Sequence, residues 1–281
     1  MTIPTFLDSS LKTTVPINGV FLSFSKAIDS LERFCRPVFF HNDDPLYEVS
    51  YAGSSFLFRY RNRNLRICTK HQLGSGVSAR SPRDLILMIN NEEGANYGLT
   101  PRESTKVEMH DDSDRTLEDI LVTTYEKLVD GPEIQKYFLE LNADKIVDLQ
   151  GLDCGNVIAI FAIGFPRAQS SFESTFDEVF EPISLHVTAN YTPLYLEFSE
   201  PSAWDQPHRI PMTLHPGYTN GIGDPDGYSG SPVFLVYKDT SAQCHLGFGG
   251  MVTDASNDGR FNIYDAKQIF ECVNKIVIAA T

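Results

Sequence analysis

The chain reads as a mainly β protein of two small barrels, with a helical extension at its N-terminal end and a helix at its C-terminal end. Three observations predict this. Short apolar or alternating runs recur at close spacing from residue 46 onward. Turn-forming residues punctuate them, and apolar residues fall at helical spacing only near the start, the middle and the end. With 281 residues the chain can bury one large or two modest apolar cores.

Over residues 20–35, Phe21, Phe24, Ile28, Leu31 and Cys35 recur at steps of three and four, which predicts a helix ending before Pro37. Residues 1–45 therefore read as a helical extension packed on a neighbouring body. Residues 46–130 carry the runs LYEVSY, SSFLFRY, NLRICT, DLILMI, KVEMH and DILVTTY, broken by Asn62, Asn64, Gly74, Gly76 and Gly94, and read as the first barrel. Helical spacing returns through Ile134, Phe138 and Leu141, so residues 131–155 read as a helical connector. The runs NVIAIFAIGF, SLHVTAN, PLYLEFSE, RIPMTL, PVFLVYK and HLGFGGMVT make residues 156–281 the second barrel. Its end, with Ile269, Phe270, Val273, Ile276 and Val277, has the pattern of an amphipathic helix.

The formal net charge of −14 argues against nucleic acid or an anionic membrane as partner, because the attraction has the wrong sign. No apolar run is long enough to span a bilayer. The first residues lack the basic region and apolar core of a secretory signal, which sets a cytoplasmic expectation. Five cysteines, Cys35, Cys68, Cys154, Cys244 and Cys272, are scattered and never in CxxC spacing. Free thiols are expected, with no disulfide framework, no metal site and no cofactor.

The stretch DGYSGSP at 226–232 places Ser229 among glycines. Such a serine is either a turn residue or a nucleophile that needs open space. A serine hydroxyl attacks at neutral pH only when a base takes its proton, and the base is commonly a histidine oriented by a carboxylate. His71, in RICTKHQLG, directly follows an apolar run; His41, His110, His186, His208, His215 and His245 have less favourable surroundings. Asp119 opens the run in TLEDILVTTYE, and Asp84 in RDLILMIN has the same local look, so both remain candidates on local pattern.

The order His71, Asp119, Ser229 resembles that of the trypsin-like (chymotrypsin-fold) serine peptidases, including cytoplasmic and HtrA-like members, over about residues 46–277. Four segments carry the resemblance: SSFLF followed by RICTKHQL, then TLEDILVTTY, GYSGSP and GGMVTDAS. It implies two six-stranded antiparallel β-barrels and a serine endopeptidase acting on protein or peptide substrates. In that role Ser229 is the nucleophile, His71 the base and Asp119 its orienting carboxylate. The N–H groups of Gly227 and Ser229 form the oxyanion hole, and the Thr253 hydroxyl supports Asp119. The family's specificity pocket maps onto 223–226 and 253–260, where Asp224, Asp226, Asp254 and Asp258 raise the expectation of a basic side chain before the scissile bond; turn aspartates facing water are the alternative.

Two departures stand out. Tyr228 occupies the position at which secreted members carry an aspartate that pairs with a newly cut N-terminus, and Gln72 replaces the cysteine that follows the histidine. Control is therefore expected from a regulatory protein partner, the N-terminal helix or ordering of the loop around 221–228. A catalytically silent two-barrel scaffold is the rival reading. An α/β-hydrolase fails, because Ser231 breaks G-x-S-x-G and the run that follows reads as a strand.

Overall fold

A computed structural model of the chain describes residues 13–43, 48–75, 79–90, 96–106, 119–126, 133–179, 182–205, 209–217 and 223–279. It opens on a hairpin, β1 (Thr14–Ile17) and β2 (Val20–Ser23), turned by Asn18 and Gly19 with φ of 45° and 82°. Positive φ at both central residues matches the right-handed twist of the strands, and Asn-Gly is the pair that most readily adopts it. The helix α1 (Phe24–Glu32) follows and buries Phe24, Ala27, Ile28 and Leu31. The helix expected over 20–35 is thus shorter at both ends. Phe21 is on the hairpin and 61% exposed, while Cys35 starts a strand.

That strand, β3 (Cys35–His41), lies inside the first sheet, so among the described residues the expected separate helical extension over 1–45 is not seen. The sheet continues with β4 (Val49–Tyr60), β5 (Arg63–Thr69), β6 (Leu85–Asn90), β7 (Asn96–Leu99), β8 (Glu103–Lys106) and β9 (Ile120–Tyr125). Its order is β7-β6-β3-β4-β5-β9-β8, a curled half-barrel whose ends do not pair among the described residues. The expected second closed barrel is therefore absent there. Most of the run KVEMH lies outside the described residues.

Among its described residues the connector forms no α-helix. Residues Gln135–Tyr137 and Ala143–Lys145 form single 3₁₀ turns, and between them β10 (Leu139–Glu140) pairs with Phe58 and Arg59 of β4, where β3 has ended. The apolar spacing is explained by packing instead: Ile134, Phe138 and Leu141 are all buried against the half-barrel.

The second half is a closed, antiparallel barrel. Its chain runs β11 (Val157–Gly164), β12 (Ser170–Phe176), β13 (Pro182–Ala189), β14 (Thr192–Phe198), β15 (Ile210–Leu214), β16 (Pro232–Lys238), β17 (Cys244–Ala255) and β18 (Arg260–Asp265). The six strands close as β11-β14-β15-β18-β17-β16, and β12 and β13 form a separate hairpin outside the barrel. Helix α2 (Ala266–Ala279) packs back on the body through Ile269, Phe270 and Val273. Among the described residues no helix is long and apolar enough to cross a membrane.

One aromatic cluster joins the two halves. Phe56 of β4 stacks on Phe58 at 5.4 Å and on Phe248 of β17 at 4.9 Å, and meets Phe234 of β16 edge-on at 5.4 Å. Such ring pairs add about 0.5–1.5 kcal/mol each beyond the area they bury. Phe56→Ala is expected to lower the stability of the whole molecule by about 3–5 kcal/mol. In urea, followed by fluorescence and circular dichroism, both signals should move together to a lower midpoint.

Candidate active site

His71 sits in the 3₁₀ turn Lys70–Leu73 immediately after β5, and Asp119 immediately precedes β9, the neighbour of β5 in the sheet. Adjacent strands thus deliver the two side chains to one end of the half-barrel. Asp119 grips His71 twice: Oδ2 lies 2.8 Å from Nδ1, and Oδ1 accepts the His71 backbone N–H at 2.8 Å. A carboxylate facing Nδ1 favours the tautomer with the proton there, which leaves Nε2 as the acceptor, facing the Thr69 hydroxyl at 3.4 Å. Asp84, the other candidate, accepts the N–H of Ser81 in its own capping box and has no part in this pair.

Burial pulls the His71 pKa down, and this is the largest single influence. The hydrogen bond and charge of Asp119, with the more distant charge of Asp254, together outweigh it, so the net shift is upward.

Ser229 comes from the second half, in the turn that enters β16. The turn is shaped by Gly227 and Gly230, with φ of 100° and 87°. A Cβ on Gly227 would stand 2.5 Å from both the Phe165 carbonyl oxygen and the Tyr51 hydroxyl, so only glycine fits. The Gly230 N–H donates to the Val252 carbonyl at 2.8 Å, and the Tyr228 N–H to that of Pro225 at 3.3 Å. Among the described residues the N–H groups of Gly227 and Ser229 donate to no partner. Free backbone donors of this kind are what an oxyanion hole uses.

A cleft of about 240 Å³ contains these groups together. His71 and Ser229 both line it, with Tyr51, Arg167, Asp226 and Gly227. The Ser229 hydroxyl does not reach the imidazole. Its Oγ donates to the Thr253 carbonyl at 2.7 Å, so attack requires Oγ to swing away from that carbonyl toward Nε2.

A scan against protein-family models matches none of them, and a search of curated proteins finds no match. The closed six-stranded barrel with its curled partner is compatible with a chymotrypsin-like fold.

Several expected site residues take other parts. Thr253 is buried, but its hydroxyl lies 2.9 Å from Asp254 Oδ2 and 3.1 Å from the Asn262 carbonyl oxygen. It meets Ser229 through its carbonyl and makes no hydrogen bond to Asp119. Asp224 and Asp226 are exposed: Asp224 accepts the Asp226 N–H at 3.0 Å as turn chemistry, and Asp226 pairs with Arg167 at 3.3 Å. Asp258 is exposed beside Ser256. Asp254 alone of the four is half-buried, and its charge is felt at His71.

Tyr228 is buried in the barrel core, edge-on to Phe261 at 6.4 Å, and burial pushes its hydroxyl pKa up to about 12. One contributor is not singled out as a site residue from the sequence. Ser54 of β4 is fully buried, donates its N–H to the Ser229 carbonyl at 3.0 Å and its hydroxyl to the Gly227 carbonyl at 2.7 Å, and accepts the Phe165 N–H at 2.9 Å. A pair of small residues in an apolar run, Ser54-Ser55, is its only trace in the sequence.

The His71 titration provides a direct test. Its ring protons, followed by NMR, should titrate with a midpoint above the ordinary value of about 6.5. Asp119→Asn should move that midpoint down, since burial then acts with less to oppose it. A raised folded-state value means the pair stabilises the fold below the unfolded pKa, and this contribution fades as pH rises through the folded one.

Proposed function

We propose that the chain is a serine endopeptidase of the trypsin-like type, with Ser229, His71 and Asp119 as its triad. The observation that carries the reading is the joining of three features in one place. A histidine is oriented through Nδ1 by a carboxylate, a serine stands on a glycine-shaped turn in the same cleft, and the N–H groups of that serine and of Gly227 have no partner among the described residues.

Ser229 Oγ attacks the substrate carbonyl carbon as His71 Nε2 takes the hydroxyl proton. The negative charge that develops on the carbonyl oxygen is held by the N–H groups of Gly227 and Ser229. Collapse of this intermediate breaks the C–N bond, and the imidazolium returns the proton to the departing amine. Water then repeats the sequence on the acyl-enzyme, with His71 as base, and frees Ser229. Asp119 remains a carboxylate throughout and stabilises the imidazolium.

For the side chain before the scissile bond, the basic preference rests on Asp254. Asp224 is held in a turn, and Asp226 is neutralised by Arg167. Tyr228 offers no carboxylate to a new N-terminus, so cutting the chain near its start is not the activating event in this reading.

A second reading, a silent binding module, is favoured by the resting direction of the Ser229 hydroxyl toward Thr253. A fluorophosphonate probe separates the two. In the peptidase, Ser229 Oγ displaces fluoride from phosphorus, the P–F bond breaks, an O–P bond forms and His71 accepts the proton. Labelling of wild type, and none of Ser229→Ala by mass spectrometry, is the expected result; a chain that never labels is the binding module. Asp119→Asn should slow labelling by about 10⁴-fold. In wild type the acid limb of the rate should follow the raised His71 pKa, since only the neutral imidazole accepts a proton.

A further inference from the structure

Gln72 follows His71 in the same short turn, and only 9% of it is exposed. Its Nε2 donates to the Ser229 carbonyl at 2.5 Å and to the Ser54 carbonyl at 3.1 Å. Two acceptors for the two amide hydrogens fix the orientation of the group, because a flipped amide would set Oε1 against two carbonyl oxygens.

The space for this nitrogen is made by two glycines in backbone conformations that other residues rarely adopt. Gly53 has φ of 135° and Gly230 has φ of 87°; a Cβ would stand 2.6 Å from Nε2 at the first and 2.9 Å at the second. The opposite end of the amide is left unsatisfied, with buried Oε1 accepting from no described residue. An amide placed only to stabilise the fold gains most when both ends are paired. This one is paired only where it meets the backbone of Ser229 and of Ser54 on β4, the residue that binds the Ser229 turn.

We propose that Gln72 is a positioning residue of this site, fixing the carbonyl of Ser229, and through it the direction of Oγ, relative to the imidazole of the preceding residue. The inference rests on the hydrolase reading above. The nucleophile and its base come from different halves of the molecule, and the two are useful only at a set separation. Ser54 anchors the Ser229 turn to β4; Gln72 anchors it to the segment that carries His71. A shift of that segment therefore carries the serine with it.

The test compares wild type with Gln72→Met, which keeps length and volume but removes the donor, and Gln72→Glu, which keeps the shape but sets a carboxylate against two carbonyls. Three quantities are measured on the full chain: the second-order rate of fluorophosphonate labelling at Ser229, scored per folded molecule; kcat and KM on a peptide substrate; and the thermal midpoint by circular dichroism. Labelling should slow in the order Gln, Met, Glu, by about 100-fold for Met, the scale of a displacement of roughly 1 Å between reacting groups. The kcat should fall while KM stays within about twofold, the mark of an interaction made only in the transition state.

The inference is overturned if either folded variant labels at the wild-type rate, whatever its melting temperature, or if KM rises with kcat unchanged. Failure of the hydrolase reading looks different. There, wild type itself does not label, or it labels as fast after His71→Ala.

Discussion

Strand β4 is the element on which both the fold and the site depend. Through Phe56 it joins the aromatic core shared by the two halves, and two residues earlier Ser54 binds the carbonyls of Gly227 and Ser229. Apolar packing fixes the distance between the halves without direction, because burial of rings is insensitive to small slides. Hydrogen bonds supply the direction that packing lacks. Because β4 makes both kinds of contact within a single turn of the pleat, the position of the Ser229 turn is set by the same strand that closes the core.

The electrostatics of the site follow from this arrangement. The half-barrel contributes a histidine that is held by both oxygens of one carboxylate, so its ring and its backbone are oriented together. The barrel contributes Ser229 and two N–H groups without partners among the described residues, on a turn that only glycine can make. Neither half contains both His71 and Ser229. The cleft is where the two surfaces meet, with Tyr51 from one side and Arg167 from the other completing its wall.

Much of this was legible in the sequence, for reasons that differ from place to place. The strands around Leu65, Phe161 and Phe234 announce themselves by dense apolar runs between turn-formers, and β9 shows both its strand and the aspartate that opens it. The first hairpin was obscured because Phe21 happens to continue the helical spacing of Phe24 and Ile28, although Asn18-Gly19 marks a turn. Residues 133–141 misled in the same way: Ile134, Phe138 and Leu141 are spaced as on a helix yet reach the half-barrel from two 3₁₀ turns and a two-residue strand. The parts played by Thr253, Asp224 and Asp226 turn on where a hydroxyl or carboxylate finds its nearest partner, which spacing does not encode. Ser54 and Gln72 carry no periodic signal, being single polar groups whose partners lie far along the chain.

The dependence of the Ser229 turn on Ser54 has a consequence for the order in which the chain is made. His71, Asp119 and β4 all emerge from the ribosome well before Ser229, and domains tend to form as they are synthesised. A nascent or truncated chain can therefore hold a finished histidine–aspartate pair and still lack Ser229. A second barrel released without the first would have its serine but lack β4 to hold the turn. In the peptidase reading proposed above, competence would arrive only when the last strands close, and incomplete copies of this protein would be inert.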